Sequence, residues 1–273
     1  MSIYVESSSP SANKPAQVVE AWRQTNIPLE IIEPEPLTLE VLSLAHDSDY
    51  VQGIFSGSIK NGFGNKSLSL AESLRFTCGS MLSAAQAAIK NGMLAVAPCS
   101  GFHHAGFADA FGYCTFNGLM VTACALKEQK LVDRVGILDF DMHYGDGTQA
   151  IIEHLHAEDW ITHYSAGKEY VHPSQAQDFL DCIDEYVQAM KECDVILYQA
   201  GADPHIDDPL GGWLTTDQLA ERDRLVFSAA RRLGVPIAWN LAGGYQVDVD
   251  GGIGKIIQIH NNTLIECAKV FLA

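Results

Sequence analysis

Two segments of the chain combine carboxylates with imidazoles at short spacing: Asp139-Phe140-Asp141-Met142-His143-Tyr144-Gly145-Asp146 and Gly201-Ala202-Asp203-Pro204-His205-Ile206-Asp207-Asp208. Each follows a short apolar run. Asp141 and His143 stand two apart, so an extended strand end projects both to one side. Asp203, after a separate run, is a candidate third ligand. An Asp, His, Asp set leaves a coordination position free for water and substrate, as catalytic rather than structural sites do. Oxygen and imidazole donors without thiolate suit zinc, ferrous iron or cobalt, and the residue types do not choose between them. A lone Asp-x-His is often a surface turn. The flanking Gly145-Asp146-Gly147 and the second cluster are what point to a metal.

A proton relay is encoded beside it. His103 and His104 are adjacent, so their rings diverge unless the backbone turns between them. Neighbouring imidazoles can divide labour, one moving protons and the other holding charge. Asp139 and Asp146 are candidates to orient the two rings and fix their tautomers. Tyr245 follows Gly243-Gly244, which permit a tight turn, and its phenol could donate to an oxyanion. Taken singly, each of these residues has a bland structural explanation; their joint placement is what carries weight.

That placement follows from the elements around them. Apolar runs at Leu94–Ala97, Val135–Phe140, Trp160–Tyr164, Val195–Gln199 and Ile237–Leu241 are short and lack polar alternation, as strands buried on both faces do. Between them lie helical segments. Ser69 to Glu72 reads as a capping box opening a helix toward Asn91-Gly92, and Thr216 as the cap of a helix through Arg232. Residues 6–16 and 57–67 read as loops. Strand and helix in alternation imply an α/β fold in one domain spanning residues 1–273, a parallel sheet with helices on both faces. Such sheets gather ligands at the carboxyl ends of their strands, where all four polar clusters fall.

Composition narrows the class further. The chain has 273 residues, is 47% hydrophobic, and carries 17 basic against 34 acidic side chains, a net charge of −17. That balance argues against a nucleic-acid partner and suits a cationic substrate. No apolar stretch approaches the roughly 20 residues of a membrane span. The first residues lack a signal peptide's basic and apolar regions, so a cytoplasmic protein is expected. Seven scattered cysteines without a paired spacing favour reduced, buried thiols; Cys114 as a nucleophile has no local support.

Together these residues resemble the histone deacetylase family of the arginase and deacetylase superfamily, in a compact form that looks bacterial. The resemblance rests on Gly101-Phe102-His103-His104-Ala105, Phe111 to Asn117, Leu138 to His143 with Gly145 to Gln149, Gly201-Ala202-Asp203 with Asp208 to Gly211, and Gly243-Gly244-Tyr245, in the family's order. Ala45 to Val51 matches more loosely. It implies an arginase/deacetylase-like fold and zinc held by Asp141, His143 and Asp203. It implies His104 with Asp146 as general base and then acid, His103 with Asp139 as electrostatic partner, and Tyr245 as oxyanion donor. Tyr113 and Leu210 would line a substrate tunnel, and a structural potassium ion would sit beside Asp139. The implied reaction is hydrolysis of an N-acetyl or N-acyl amide by metal-activated water, releasing acetate and an amine.

Two positions depart from the pattern: Phe102 stands where a glycine usually precedes the histidine pair, and Tyr144 where a second histidine often follows the ligand. The short chain leaves little for rim loops that grip a folded protein. A small N-acetylated amine such as a polyamine, or a flexible acetyl-lysine peptide, is therefore the expected substrate. Two other readings stand beside this one. A two-manganese ureohydrolase of the arginase branch needs extra carboxylates where this chain has Gly145 and His205. A silent acyl-amine-binding module would be expected to lack a catalytic side chain. Oligomeric state is not legible.

Overall fold

The computed structural model describes residues 14–272. Five strands form one all-parallel sheet: β1 (Leu94–Ala97), β2 (Val135–Asp139), β3 (Ile161–Ser165), β4 (Val195–Gly201) and β5 (Ile237–Ala242), in the order β1-β5-β4-β2-β3. The helices are α1 (Lys14–Arg23), α2 (Leu39–Leu42), α3 (Ser48–Ser56), α4 (Leu68–Asn91), α5 (Gly118–Glu128), α6 (Asp146–His154), α7 (Ala176–Gln188), α8 (Thr216–Leu233) and α9 (Gly254–Phe271). Among the described residues, no helix is long and apolar enough to cross a membrane.

Side-chain alternation shows why the strands are apolar throughout. Val135 and Ile137 of β2, and Val195 and Leu197 of β4, join one core with α4 and α5. Leu138, Ile196, Tyr198, Trp239 and Leu241 point the other way, into a second core with α1, α7, α8 and α9. Both faces are covered, so no position along a strand needs to be polar.

The chain steps outward from β2 to β3, then returns to β4 and moves the other way to β5. Travel reverses between β2 and β4, and the crevice at such a reversal is where open α/β sheets bind ligands. The carboxyl ends of β2 and β4 lead into Asp141 and Asp203.

Boundaries differ from expectation in instructive ways. Helix α4 starts at Leu68 on an N-cap by Ser67, whose hydroxyl accepts the Leu70 N–H, and not on a box at Ser69; Glu72 pairs instead with Arg75 at 2.8 Å. Thr215, not Thr216, caps α8, with Gln218 completing the box. Lys14 to Ala16, read as loop, begin α1, where Pro15 is tolerated in a first turn; the loop reading for residues 6–13 lies outside the described residues.

Candidate active site

Strand β2 ends at Asp139, earlier than an extended Asp141-x-His143 would need. The two side chains converge for another reason. Asp141 Oδ1 accepts the His143 N–H at 3.0 Å, and His143 Nδ1 lies 3.0 Å from the same oxygen. From the end of β4, Asp203 brings Oδ2 to 3.2 Å from His143 Nδ1. Its Oδ1 accepts the Met142 N–H at 3.3 Å. Among the described residues, Asp141, His143 and Asp203 form the group whose donor atoms gather within 4.8 Å of one another.

Electrostatics within this trio favour a cation. Burial opposes charge on Asp141, yet His103 and His143 hold its carboxyl below the usual range. Asp203 is pushed up to about 7 by burial and by the charge of Asp141. Its buried Oδ2 faces His143 as an ion-pair contact and makes no aligned hydrogen bond among the described residues. Two dry carboxylates facing one another form a donor set that a divalent ion would complete.

Both histidines are turned toward this trio. The chain leaves β1 and turns through Phe102, whose φ of 95° is rare for a side chain with a Cβ. That turn brings the adjacent rings to 4.1 Å centroid separation rather than letting them diverge. The Phe102 ring is buried against Gly118 at the start of α5, where a Cβ would come within 2.3 Å of it. Packing thus holds a backbone conformation that glycine would adopt without strain. His103 Nδ1 lies 2.8 Å from Asp139 Oδ2, and His104 Nδ1 lies 2.7 Å from Asp146 Oδ1. Burial disfavours charge on His103, but Asp139 and Asp141 outweigh it and raise its pKa to about 9. His104 is held below its ordinary value by burial and by His103 beside it. The surroundings thus favour charge on His103 and disfavour it on His104.

Tyr245 arrives from β5 through Gly243 and Gly244, both at positive φ. A Cβ at Gly243 would fall 2.1 Å from the Asp203 carboxyl carbon, so that close approach requires glycine. Burial and the nearby carboxylates of Asp141 and Asp203 push the Tyr245 phenol up, keeping it a hydrogen-bond donor. Tyr113 and Leu210 are 48% and 54% exposed, with Tyr113 at a φ of 63°. Tyr113 meets Phe63 of the 57–67 segment edge-on at 5.8 Å.

Other residues contribute without a motif of their own. His46 donates from Nδ1 to the Gly106 carbonyl at 2.9 Å and accepts the Asn117 N–H on Nε2 at 2.9 Å, bracketing the segment that follows the histidine pair. Its placement in Ala45 to Val51 was the available signal. Lys14 Nζ, wholly buried, donates to the Gly243 carbonyl, and burial lowers its pKa to about 8. His205, where the two-metal branch would need a carboxylate, is engaged by Thr216 at 2.9 Å and Gln246 at 2.7 Å. All seven cysteines are free, and burial pushes the Cys114 thiol up to about 12, which leaves it protonated.

A family model described as histone deacetylase domain matches residues 10–176 and 161–258. The chain belongs to the histone deacetylase family. As a member it is an enzyme of the deacetylase or amidohydrolase type. An uncharacterized protein of Picosynechococcus is 29% identical to this family member over 247 residues, covering 81% of each chain. Histone deacetylase 2 of Arabidopsis thaliana is 26% identical over 53% of this chain, a stretch that is 42% of the plant protein. Two solved structures share the deacetylase fold. Acetylpolyamine aminohydrolase from Burkholderia pseudomallei superposes with a TM-score of 0.73 at 18% identity, covering 95% of this chain and 91% of its own. The HDA15 HD domain reaches a TM-score of 0.75 at 17% identity, covering 100% and 92%.

Proposed function

We propose that this chain is a zinc-dependent amidohydrolase that removes an acetyl group from a small amine, such as a polyamine, or from lysine in a flexible peptide. The observation that carries the reading is the meeting of two His–Asp pairs, at 2.8 and 2.7 Å, with the Asp141, His143 and Asp203 donor cluster. Asp141, His143 and Asp203 would hold the ion, whose Lewis acidity polarises a carbonyl and acidifies water; ferrous iron or cobalt fits the same donors.

The chain's own residues supply the rest. With Nδ1 committed to Asp146, His104 presents Nε2 to take a proton from the attacking water and later to deliver one to the departing nitrogen. His103, against Asp139, contributes fixed positive charge. The Tyr245 phenol donates to the carbonyl oxygen as it becomes an oxyanion. Water's hydroxyl joins the carbonyl carbon, its proton reaches the amine, and the C–N bond breaks. The reading includes a potassium ion beside Asp139, a buried carboxylate 3.4 Å from the Ser165 hydroxyl.

Two things favour a cationic substrate: the net charge of −17, and a structural neighbour whose substrates are acetylated polyamines by name. The test is acetate release by zinc-reconstituted protein from an acetyl-lysine peptide and an N-acetylated polyamine, beside His104→Ala. Turnover lost in the variant is expected, and the rate ratio names the substrate. Release from neither would sink the hydrolase reading for acetyl groups.

A further inference from the structure

Past Asp139 and Gln199 the pairing of β2 with β4 ends. Phe140 still donates its N–H to Gln199 at 3.1 Å, but Ala202 turns to β5 and donates to Ala242 at 2.9 Å. The two strand ends therefore part where the crevice opens, and one buried cationic side chain bridges their carbonyls. Arg222, from within α8, is fully buried, and its Nη1 donates to the Gly201 carbonyl at 2.7 Å and the Phe140 carbonyl at 3.2 Å. Those carbonyls belong to the residues one before Asp141 and two before Asp203.

The guanidinium is itself held. Its Nε meets Asp223 Oδ1 at 2.9 Å, and Asp223 accepts from Tyr198 at 2.5 Å and Thr263 at 2.6 Å. Nη2 is buried without a partner. A buried ion pair with an unsatisfied donor is a poor source of stability; well-packed apolar side chains serve that end as well or better. Placement of the strand ends is a use for it that apolar side chains could not serve.

We propose that Arg222 is a positioning residue for the metal centre, fixing the peptide planes of Phe140 and Gly201 at the spacing that lets Asp141 and Asp203 share one ion. This rests on the metal-centre reading above. The experiment is chelator competition for zinc on the full chain, alongside thermal unfolding of the metal-free protein. Arg222→Lys keeps the charge but not the two-carbonyl span, and is expected to weaken zinc binding about 10- to 100-fold. Asp223→Asn cuts the ion pair and leaves the guanidinium on both carbonyls. It is expected to lower the unfolding temperature while zinc affinity changes by less than about tenfold. Arg222→Gln serves the same comparison should the lysine variant not fold. Zinc bound by Arg222→Lys as tightly as by the wild type, or lost equally in Asp223→Asn, would overturn the assignment. A wild-type chain that binds none of zinc, ferrous iron and cobalt would overturn the metal-centre reading, and this inference with it.

Discussion

The Asp208 carboxylate ties the Tyr245 turn to Leu210: Oδ2 accepts the Tyr245 N–H at 2.8 Å while Oδ1 accepts the Leu210 N–H at 3.0 Å. One side chain thereby fixes both the proposed oxyanion donor and a residue proposed to line the substrate's entry. Asp208→Ala releases both backbone groups and is expected to lower kcat by about tenfold to a hundredfold, since small misplacements of a catalytic group cost that much. Metal content, measured by elemental analysis, should stay at the wild-type level. An unchanged kcat would show that the turn holds itself.

Tyr245→Phe removes only the phenol. Turnover should fall about a hundredfold or more, the usual loss for one oxyanion donor, with zinc content unaltered. Equal turnover in the two proteins would take Tyr245 out of the chemistry.

Asp203→Ala is expected to behave in the opposite way. It deletes one of the three carboxylate and imidazole groups gathered within 4.8 Å, so the purified variant should contain little metal. A fully loaded variant would show that Asp203 is not a ligand.

His46 makes stability depend on pH. It is neutral in the fold, accepting on Nε2 and donating from Nδ1, and burial lowers its pKa to about 4 from the ordinary 6.5. Above 6.5 neither folded nor unfolded chain is protonated there, and its contribution is fully present. Between 6.5 and 4 the unfolded chain takes up the proton and the folded chain does not, so stability falls with pH; below 4 the loss levels off. From pH 7 to 4.5 the loss should exceed that of His46→Asn by about 2 to 3 kcal/mol, measured by urea unfolding. Equal losses in the two proteins would clear His46.

Gly118→Ala tests the notch that holds Phe102. Its Cβ would meet the ring at 2.3 Å, and overpacking of this kind costs about 1 to 3 kcal/mol. Because Phe102 precedes His103, kcat should fall as well; denaturation and turnover measured together decide it. A loss of stability without loss of rate would show that the histidine turn is held from elsewhere.

Much of this architecture could be read from the residues, and the exceptions have physical causes. Strand β1 was bounded correctly because Gly92 and Pro98 flank its apolar run. Strands β4 and β5 run on to Gly201 and Ala242, since ladder bonds do not stop where hydrophobic side chains do. Ser69 mimics a cap because it has a glutamate three residues on, yet the hydroxyl that caps the helix is that of Ser67, 3.0 Å away. The His–Asp pairing became visible through motifs. Arg222 and Lys14 did not, because charged side chains are usually exposed and nothing local marks one that is buried.

The contact between Lys14 and Gly243 spans 229 positions. The contact thus joins the first described residue to the chain leaving the last strand, beside Asp203. Loop closure over such a distance comes late in folding, after the local helices and neighbouring strands have formed. The buried lysine's countercharge to Asp141 and Asp203 is accordingly expected only once β5 has entered the sheet and α1 has docked. Docking of α1 thus couples the first described helix to the electrostatics of the carboxylate pair.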